Sequence, residues 1–555
     1  DRIAMQPPRA ARALLTGLSP SNPGFHVFVA CEPEVMFEPD VVCAAQREAA
    51  RLPAAPDILY VHDFDRPEAP RALLVPAGLG KSFAEAVDEV MDELERRIAA
   101  LGASPALREA QTALARELTT KNKQVVSDLE SLAKSLGFGV RTVPGGVQTF
   151  PILHGKPVSP EQFEVLDEST RRSLQESEAK LTAAVDGAAR RIRDLTEEVN
   201  AASDDAEQKE AEELIEQEFK KLRDRFGTIE PVAEWLSRLQ HQLVHDWPDF
   251  VEPEPREPGQ LDDDDLDEQG SDPEIARRTG RFRVNVFVSH AGEQHAPVVY
   301  DTNPTFPNLF GHLERRVRLG TLVTDFTRIR AGSLCRASGG YLILRAADLL
   351  ADPIIWERFK RVLRDRQIAV EDPLGPLGTY TTTLRPQPVG LAARVVLVGS
   401  PGLFEQLLDA DSDFAALFRV KVEVEWRVRR DEQILRALDG YLMSLPTVRS
   451  HGCCFDREAR ARLLDFATRL AADKDLIAIT PAPLEETACF AAMLARARGD
   501  QESLVTADDV ETAWYDRRER SAGIEREMRE MAVRGDLLVE TGGTRVGVVN
   551  GTSGP

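Results

Sequence analysis

A long block of charged helices interrupts the chain between Phe83 and about Asp249, and the regions on either side have a different, mixed character. Within this block the apolar residues recur at two heptad positions: Leu181, Ala188 and Leu195 at one, and Val185, Ile192 and Val199 at the other. Glu, Arg and Lys flank this seam, so the pattern predicts a coiled coil that is antiparallel or seeks a partner. A helical bundle with a solvated charged face would share this architecture and differ only in function.

Two further features belong to the helical block. A second apolar run follows the seam, and we expect its helix to fold back on the first as a hairpin arm; its residues are Leu214, Phe219, Leu222 and Phe226. Between the helical segments, the turn residues Pro144-Gly145-Gly146 separate two short alternating runs. This pattern predicts a small β-hairpin at about 138–151.

Short apolar runs on both sides of the block predict the strands of one parallel sheet. These runs are Phe25–Ala30, Asp57–His62, Val284–Ser289, Gly340–Leu344 and Arg394–Gly399. From about Arg430 to Arg534 the pattern is helical throughout. We therefore predict an α/β AAA+-like module, a parallel sheet with helices, interrupted by a helical coiled-coil insertion and followed by an α-helical lid.

This organisation divides the chain into six segments. They are the first α/β part at 1–82, the helical insertion at 83–250, an acidic flexible linker at 251–274, the second α/β part at 275–430, the lid at 431–535 and a last segment at 536–555. The linker carries the acidic run Asp262–Asp265. We do not expect this run to bind a metal, because it lacks the spaced Gly and the terminal Glu of a calcium-binding loop.

Composition excludes several classes of function. The 555 residues carry a formal charge of −23, which argues against nucleic acid as the main partner because phosphate backbones require a basic surface. No apolar run approaches the ~20 residues that span a bilayer, so no membrane partner is expected. The six cysteines are scattered without zinc spacing, which fits a reducing cytoplasm and a chain without a metal site.

The segment Gly78–Ser82 (GLGKS) contains the end of a phosphate-binding loop. A working loop has the pattern GxxxxGK[ST], in which glycines let backbone N–H groups surround the phosphates. Val75 stands where the first glycine belongs, and Pro76 removes an N–H donor. We interpret the segment as a strand-to-helix turn that happens to contain Gly and Lys81.

Six longer motifs occur in order along the chain. They are Asp57–Lys81 (DILYVHDFDRPEAPRALLVPAGLGK), Asn303–Arg315 (NPTFPNLFGHLER), Thr324–Gly332 (TDFTRIRAG), Arg336–Leu344 (RASGGYLIL), Trp356–Leu363 (WERFKRVL) and Asp411–Lys421 (DSDFAALFRVK). Together they resemble the AAA+ modules of LonB-like bacterial Lon proteases. The resemblance runs from about Leu18 to Gly551 and places the PAGLGK segment well beyond the family's own phosphate-binding loop.

The chain departs from that family at the nucleotide site. Where relatives have a glycine-rich loop, this chain has Cys31, Glu34, Phe37 and Glu38. Phe37 stands in place of the phosphate-binding cation, and Glu38 replaces the hydroxyl that holds Mg²⁺. Arg345 replaces the Walker B aspartate. This degenerate Walker A and Walker B pattern resembles the ATP-independent LonC-type proteases, so we expect no cofactor.

Three weaker features complete the survey. Arg419 and Arg427 are predicted to form salt bridges at a subunit interface. His290, Glu293 and His295 form an HxxExH pattern, which lacks HExxH zinc spacing and predicts an exposed turn. Beyond the lid, residues 546–551 (VGVVNG) resemble the strand that opens the Lon peptidase domain. The family's Ser–Lys dyad lies further downstream, so we expect the peptidase domain to be cut short and no catalytic residue to be present.

The resemblance implies a nucleotide-independent, oligomeric scaffold, by family a hexamer, that admits unfolded protein substrates to a Lon-like serine protease. The hairpin at the tip of the helical arm could meet those substrates, through Phe138, Val140, Val147 and Phe150. Two alternatives stay open. One is an active AAA+ ATPase that uses Gly78–Ser82, and the other is a stand-alone holdase or adaptor for unfolded chains.

Overall fold

The computed structural model describes residues 2–19, 25–101, 104–143, 146–153, 156–157, 168–250, 279–318, 321–371, 384–450, 452–498 and 504–536. It divides into two compact units. The first contains the described residues of Asp1–Ile58, Pro76–Gly78 and Phe287–Pro555, and the second those of Leu59–Val75 and Leu79–Val286. The predicted acidic linker at 251–274, the turn Pro144-Gly145 and the motif at 546–551 lie outside the described residues.

The strands, numbered in chain order, are mostly short. They are β1 (Val27–Ala30), β2 (Asp57–Val61), β3 (Arg71–Val75), β4 (Phe138–Val143), β5 (Gly146–Leu153), β6 (Lys156–Pro157), β7 (Val284–Val288), β8 (Val298–Asp301), β9 (His312–Leu313), β10 (Arg316–Arg318), β11 (Thr321–Val323), β12 (Ile329–Arg330), β13 (Tyr341–Arg345), β14 (Gln367–Ile368), β15 (Val389–Gly390), β16 (Arg394–Gly399), β17 (Val420–Glu423), β18 (Arg427–Arg429), β19 (Cys454–Phe455), β20 (Leu476–Ala478) and β21 (Leu504–Val505).

The α-helices range from one turn to a single helix of 59 residues. They are α1 (Pro8–Leu18), α2 (Glu38–Ala49), α3 (Leu79–Ala99), α4 (Pro105–Ser135), α5 (Glu168–Phe226), α6 (Glu230–Asp246), α7 (Phe306–Phe310), α8 (Ser333–Arg336), α9 (Ala346–Leu350), α10 (Pro353–Asp365), α11 (Pro401–Ala410), α12 (Phe414–Leu417), α13 (Glu432–Ser444), α14 (Pro446–Ser450), α15 (Arg457–Leu470), α16 (Pro481–Ala497), α17 (Ala507–Ser521) and α18 (Gly523–Arg534).

A five-stranded parallel sheet forms the centre of the first unit, in the order β17-β1-β16-β13-β8. All four residues of β1 are buried, because a central parallel strand is covered on both faces. β1 precedes the helical insertion and the other four strands follow it. The prediction of a parallel sheet interrupted by a helical insertion is therefore confirmed.

Two of the predicted strands lie in a different sheet. β2 pairs with β3 and β7 in a three-stranded sheet, rather than joining the five-stranded one. The apolar residues Leu59 and Leu73 of this sheet pack with Met91 of α3 and Trp235 of α6 in one core. Residues of β2 and β3 therefore share a core with helices of the insertion. The second unit begins at Leu59, whereas the helical insertion was predicted to begin at residue 83.

The long helix α5 corrects the expectation of a helix that folds back between residues 199 and 214. Neither Pro nor Gly occurs in that interval, so nothing interrupts the helix, which continues to Phe226. The helix that packs against α5 is α4 instead. Leu181 and Val185 of the predicted seam contact Leu129 and Ala133 of α4. Beyond α4, β4 and β5 form the predicted antiparallel hairpin.

The lid is a mainly helical region with its own core, as predicted, although the short strands β19, β20 and β21 interrupt a segment expected to be helical throughout. Asp431 and Asp456 accept hydrogen bonds from the first turns of α13 and α15, and these caps fix where both helices begin. In the centre, Phe466 of α15 stacks on Trp514 of α17 with 4.3 Å between ring centroids. Met5, from the N-terminal segment, is also buried in this core. The helices α1–α18 include no described segment both long and apolar enough to cross a membrane.

His26 connects the start of β1 to the neighbouring strand β16. The main-chain N–H of Val395 donates to its Nδ1 at 3.1 Å, so this nitrogen must be unprotonated. Burial, together with the charges of Arg394 and Arg366, lowers the pKa of His26 to about 4. The neutral ring is therefore the form that the fold requires.

This histidine predicts how stability depends on pH. In the unfolded chain His26 binds a proton below its ordinary pKa of 6.5, whereas in the folded chain it does so only near 4. The free energy of unfolding should fall by about 3 kcal/mol as the pH drops through this interval. In a His26→Asn variant, which keeps an acceptor, urea unfolding between pH 6.5 and 4 should show a correspondingly shallower slope. The surface variant His241→Asn is the control, and an unchanged slope in His26→Asn would contradict the assignment.

Candidate functional site

The loop that follows β1 lies at the carboxyl end of the parallel sheet, where ligands of such folds bind. Two of its backbone donors are used within the loop: the N–H groups of Val35 and Met36 donate to the carbonyls of Glu32 and Pro33, at 3.0 and 3.3 Å. Met36 adopts the left-handed conformation with φ of 47°. This turn leaves the carbonyl oxygens of Val35 and Met36 available to accept hydrogen bonds.

The side chain of Arg2 fills the loop. Its Nη1 donates to the carbonyl of Val35, and its Nη2 donates to the carbonyl of Met36 at 2.5 Å. Nε and Nη2 both donate to Oδ2 of Asp40, at 2.9 and 2.6 Å, and the main-chain N–H of Arg2 donates to Oδ1 at 3.0 Å. Arg2 is only 1% exposed. A buried cation thus occupies the loop after β1.

Two aromatic rings cover the guanidinium of Arg2. Its central carbon lies 5.5 Å from the ring centroid of Phe37 and 5.4 Å from that of Tyr441. Both distances are within the range of cation–π attraction. Phe37 belongs to the loop and Tyr441 to α13 of the lid, so one arginine contacts both the α/β core and the lid.

Two of the residues that the sequence predicted for a degenerate nucleotide site, Glu38 and Arg345, form an ion pair. Nε of Arg345, at the end of β13, lies 3.1 Å from Oε1 of Glu38, the first residue of α2. Tyr300 at the end of β8 lies nearby: burial, and then the charge of Glu38, raise the pKa of Tyr300. Burial likewise raises the pKa of Cys31 to about 12, with Glu38 again adding to the effect. The ion pair thus joins the start of α2 to the end of β13.

Further contacts hold the N-terminal segment that carries Arg2. The side-chain amide of Gln6 exchanges two hydrogen bonds with the main chain of Glu425, at 3.0 and 2.9 Å. The hydroxyl of Tyr341 donates to the carbonyl of Leu18 at 2.6 Å, and Arg394 donates to the carbonyl of Gly17 at 2.9 Å. The sequence analysis missed Arg2, because nothing in the local pattern links it to Asp40.

Comparison with family models identifies three regions of the chain. The model of the LonB-like AAA domain matches residues 294–425, that of the Lon-like LonC helical domain matches residues 57–90, and that of the archaeal LonB AAA+ ATPase lid domain matches residues 454–520. Along the chain the matches come in the order helical domain, AAA domain and lid domain, and the helical-domain match runs from β2 into α3. The chain contains a Lon-family AAA+ module.

Other comparisons add little. Among solved structures, NtrX from Brucella abortus is similar at 18% identity and a TM-score of 0.27, over 42% of this chain and 46% of that one. Its structures in complex with ADP and ATP have 19% and 20% identity and TM-scores of 0.26 and 0.25. The chain therefore spans less than half of these proteins, and the likeness is too low to carry an argument. A search of curated proteins gives no significant match.

In this Lon-family module, the segment Gly78–Ser82 forms the start of α3. Gly78 has φ of 80°, which explains the glycine as a turn residue. The side chain of Lys81 is 68% exposed, and its Nζ lies 3.9 Å from Oε1 of Glu85, one helical turn further on. The structure thus places the lysine on the surface of a helix, with a carboxylate as its neighbour.

The remaining predicted site residues lie apart from the loop. Arg419 is exposed, 4.9 Å over the ring of Phe25, and Arg427 is exposed, 4.9 Å over the ring of Trp426. His290 is only 4% exposed, so the expected exposed turn is wrong at this residue.

His290 is buried because its main chain is tied to a neighbouring strand. Its main-chain N–H donates to Asp57 at 2.7 Å, and its ring lies 3.0 Å from Glu293. The described residues contain no cluster of three potential metal-ligating side chains.

At the arm hairpin the predicted contacts differ in accessibility. Phe138 is 4% exposed and packs against Leu129, Ala133 and Leu181, so it belongs to the core of the arm. Val140 and Phe150 are half-buried. The side chain of Val147 lies outside the described residues.

Thiol chemistry provides a check on this site. Cys31 and Cys335 are buried with pKa values of about 12, whereas Cys43 and Cys454 are exposed. At pH 8 only about 10⁻⁴ of a thiol with such a pKa is thiolate, the reactive form. Brief iodoacetamide treatment followed by peptide mass spectrometry should find Cys43 and Cys454 modified and Cys31 and Cys335 protected. All four should react in denaturant. Alkylation of Cys31 in the native protein as fast as Cys43 would show that the loop is open.

Proposed function

We propose that this Lon-family module is a nucleotide-independent oligomeric scaffold that admits unfolded proteins to a Lon-like serine peptidase. The observation that carries the proposal is the buried guanidinium of Arg2 in the loop after β1. A phosphate-binding loop directs N–H donors at an anion. This loop directs two carbonyls and the carboxylate of Asp40 at a cation.

Electrostatics argue against a phosphate in the same place. Asp40 would repel it, and each unit charge at ~4 Å contributes about 1 kcal/mol in water and about 4 kcal/mol at an effective dielectric of 20. Displacing Arg2 would also leave that buried carboxylate without its partner, which costs about 3–5 kcal/mol. A micromolar nucleotide site has a binding free energy of about −8 kcal/mol. These opposing effects are together large enough to abolish it.

The ion pair between Glu38 and Arg345 supports the same conclusion for the metal. Mg²⁺ requires oxygen ligands. Here one potential ligand, Glu38, is neutralised by the guanidinium of Arg345. An arriving Mg²⁺ would meet a fixed positive charge, so the pair disfavours metal-dependent nucleotide chemistry. The ATPase alternative at Gly78–Ser82 gains no support either, because Lys81 is exposed beside Glu85.

The helical arm supplies the part of the proposal that concerns substrates. The hairpin of β4 and β5 follows α4 and leaves Val140 and Phe150 half-buried, so both keep apolar surface that an unfolded chain could cover. For assembly into a homo-oligomer, with six subunits as family resemblance implies, exposed Arg419 and Arg427 remain the proposed interface residues. Both are held over aromatic rings, which limits their freedom before a partner binds.

Titration calorimetry tests the nucleotide independence. We expect no saturable heat with ATP or ADP, with or without Mg²⁺, and the same oligomer mass by light scattering whether or not ATP is present. The physical reason is the loss of phosphate donors and the buried cation described above. Lys81→Ala is the matched variant. A saturable wild-type isotherm that vanishes in Lys81→Ala would establish the ATPase alternative, and one that persists would place nucleotide elsewhere; either contradicts the proposal.

A further inference from the structure

The guanidinium of Arg2 has both hydrogen-bond acceptors and aromatic rings around it. Four N–H donations reach Val35, Met36 and Asp40. The central carbon also lies over the rings of Phe37 and Tyr441, within cation–π distance of both. Arginine presents five donors in one plane and stacks on aromatic rings, so this arrangement matches a guanidinium in both respects.

An ammonium ion would fit this arrangement poorly. It is a compact charge without a flat face, and it is more strongly hydrated than a guanidinium. It has three donors, whereas the side chain of Arg2 makes four donations to Val35, Met36 and Asp40 from three nitrogens. The selectivity of the arrangement should therefore depend on shape as well as on charge.

The position of the arrangement connects two parts of the first unit. Val35, Met36, Phe37 and Asp40 belong to the α/β core, and Tyr441 comes from α13 of the lid. The segment that carries Arg2 continues through Met5, which is buried in the lid core. A side chain of the chain itself therefore joins the α/β core and the lid.

We infer that Val35–Asp40 and Tyr441 form a guanidinium-binding site that Arg2 occupies in cis, and that this occupancy holds the lid on the α/β core. The inference deepens the proposed function, since a site filled by its own arginine needs no nucleotide to hold the lid. The inference adds a class of ligand, a guanidinium. It also adds selectivity for a guanidinium over an ammonium, which the proposed lack of nucleotide binding does not by itself require.

Chemical rescue tests the inference. Arg2→Ala removes the side chain beyond Cβ, and the missing part has the structure of ethylguanidinium. We expect the variant to lose about 5–15 °C in Tm, as the buried Asp40 loses its partner. Millimolar ethylguanidinium should restore at least half of that loss, because a ligand that binds only the folded state stabilises it. Propylammonium at the same concentration should not.

Three comparisons make the test specific. Wild-type protein, whose site is filled, should gain no Tm from ethylguanidinium. Arg12→Ala removes an exposed arginine of the same segment and should show neither the loss nor the rescue. Arg2→Lys keeps the charge without the planar guanidinium, so the lysine should restore less than half of the Tm that Arg2→Ala loses. If Arg2→Ala does not fold, Arg2→Lys replaces it in the rescue experiment.

Hydrogen exchange reports on the lid. Amides of Glu432–Ser444 should exchange faster in Arg2→Ala and return toward wild-type rates with ethylguanidinium. Equal rescue by propylammonium, no rescue by either cation, or unchanged exchange in this helix would each overturn the inference. None of these results bears on ATP calorimetry of the wild type, so failure here is distinguishable from failure of the proposed function.

Discussion

The buried ion pair between Arg2 and Asp40 determines how the loop after β1 can fold. Removing two charges from water is costly, and the cost is recovered only if the remaining donors and acceptors are satisfied. The carbonyls of Val35 and Met36 meet that requirement. Met36 reaches its position by adopting a left-handed backbone that non-glycine residues rarely use. The backbone conformation and the side-chain contacts of this loop are thus consequences of one buried cation.

The same pair is the basis of the proposal that this α/β fold needs no nucleotide. In a parallel α/β sheet, ligands bind at the loops of the carboxyl edge. Here Arg2 supplies a cation to the loop after β1, and Arg345 supplies one to Glu38. In this loop, carbonyl and carboxylate acceptors surround a cation. Tyr441 extends this organisation to the lid.

The sequence predicted the parts of the fold that local pattern controls. Mostly apolar runs such as Phe25–Ala30 identified central strands, and heptad spacing predicted a helix where α5 lies. Pairing was harder, because a short buried strand such as Asp57–Val61 carries no information about its neighbours. The predicted break in α5 was wrong although the local sequence argued against it, since no Pro or Gly occurs between residues 199 and 214. At the site, Phe37, Glu38 and Arg345 were found by position, but Arg2 is 38 residues from Asp40 and was visible only in three dimensions.

The most direct test of this account is the coupling energy between Arg2 and Asp40. Urea unfolding of the wild type, Arg2→Ala, Asp40→Ala and the double variant completes a double-mutant cycle. Each single variant leaves a buried group unpaired, while the double variant removes both, so the two losses should not add. The account predicts a coupling of about 2 kcal/mol or more. Losses that add to within about 0.5 kcal/mol would contradict it, because Arg2 and Asp40 would then not act as a pair.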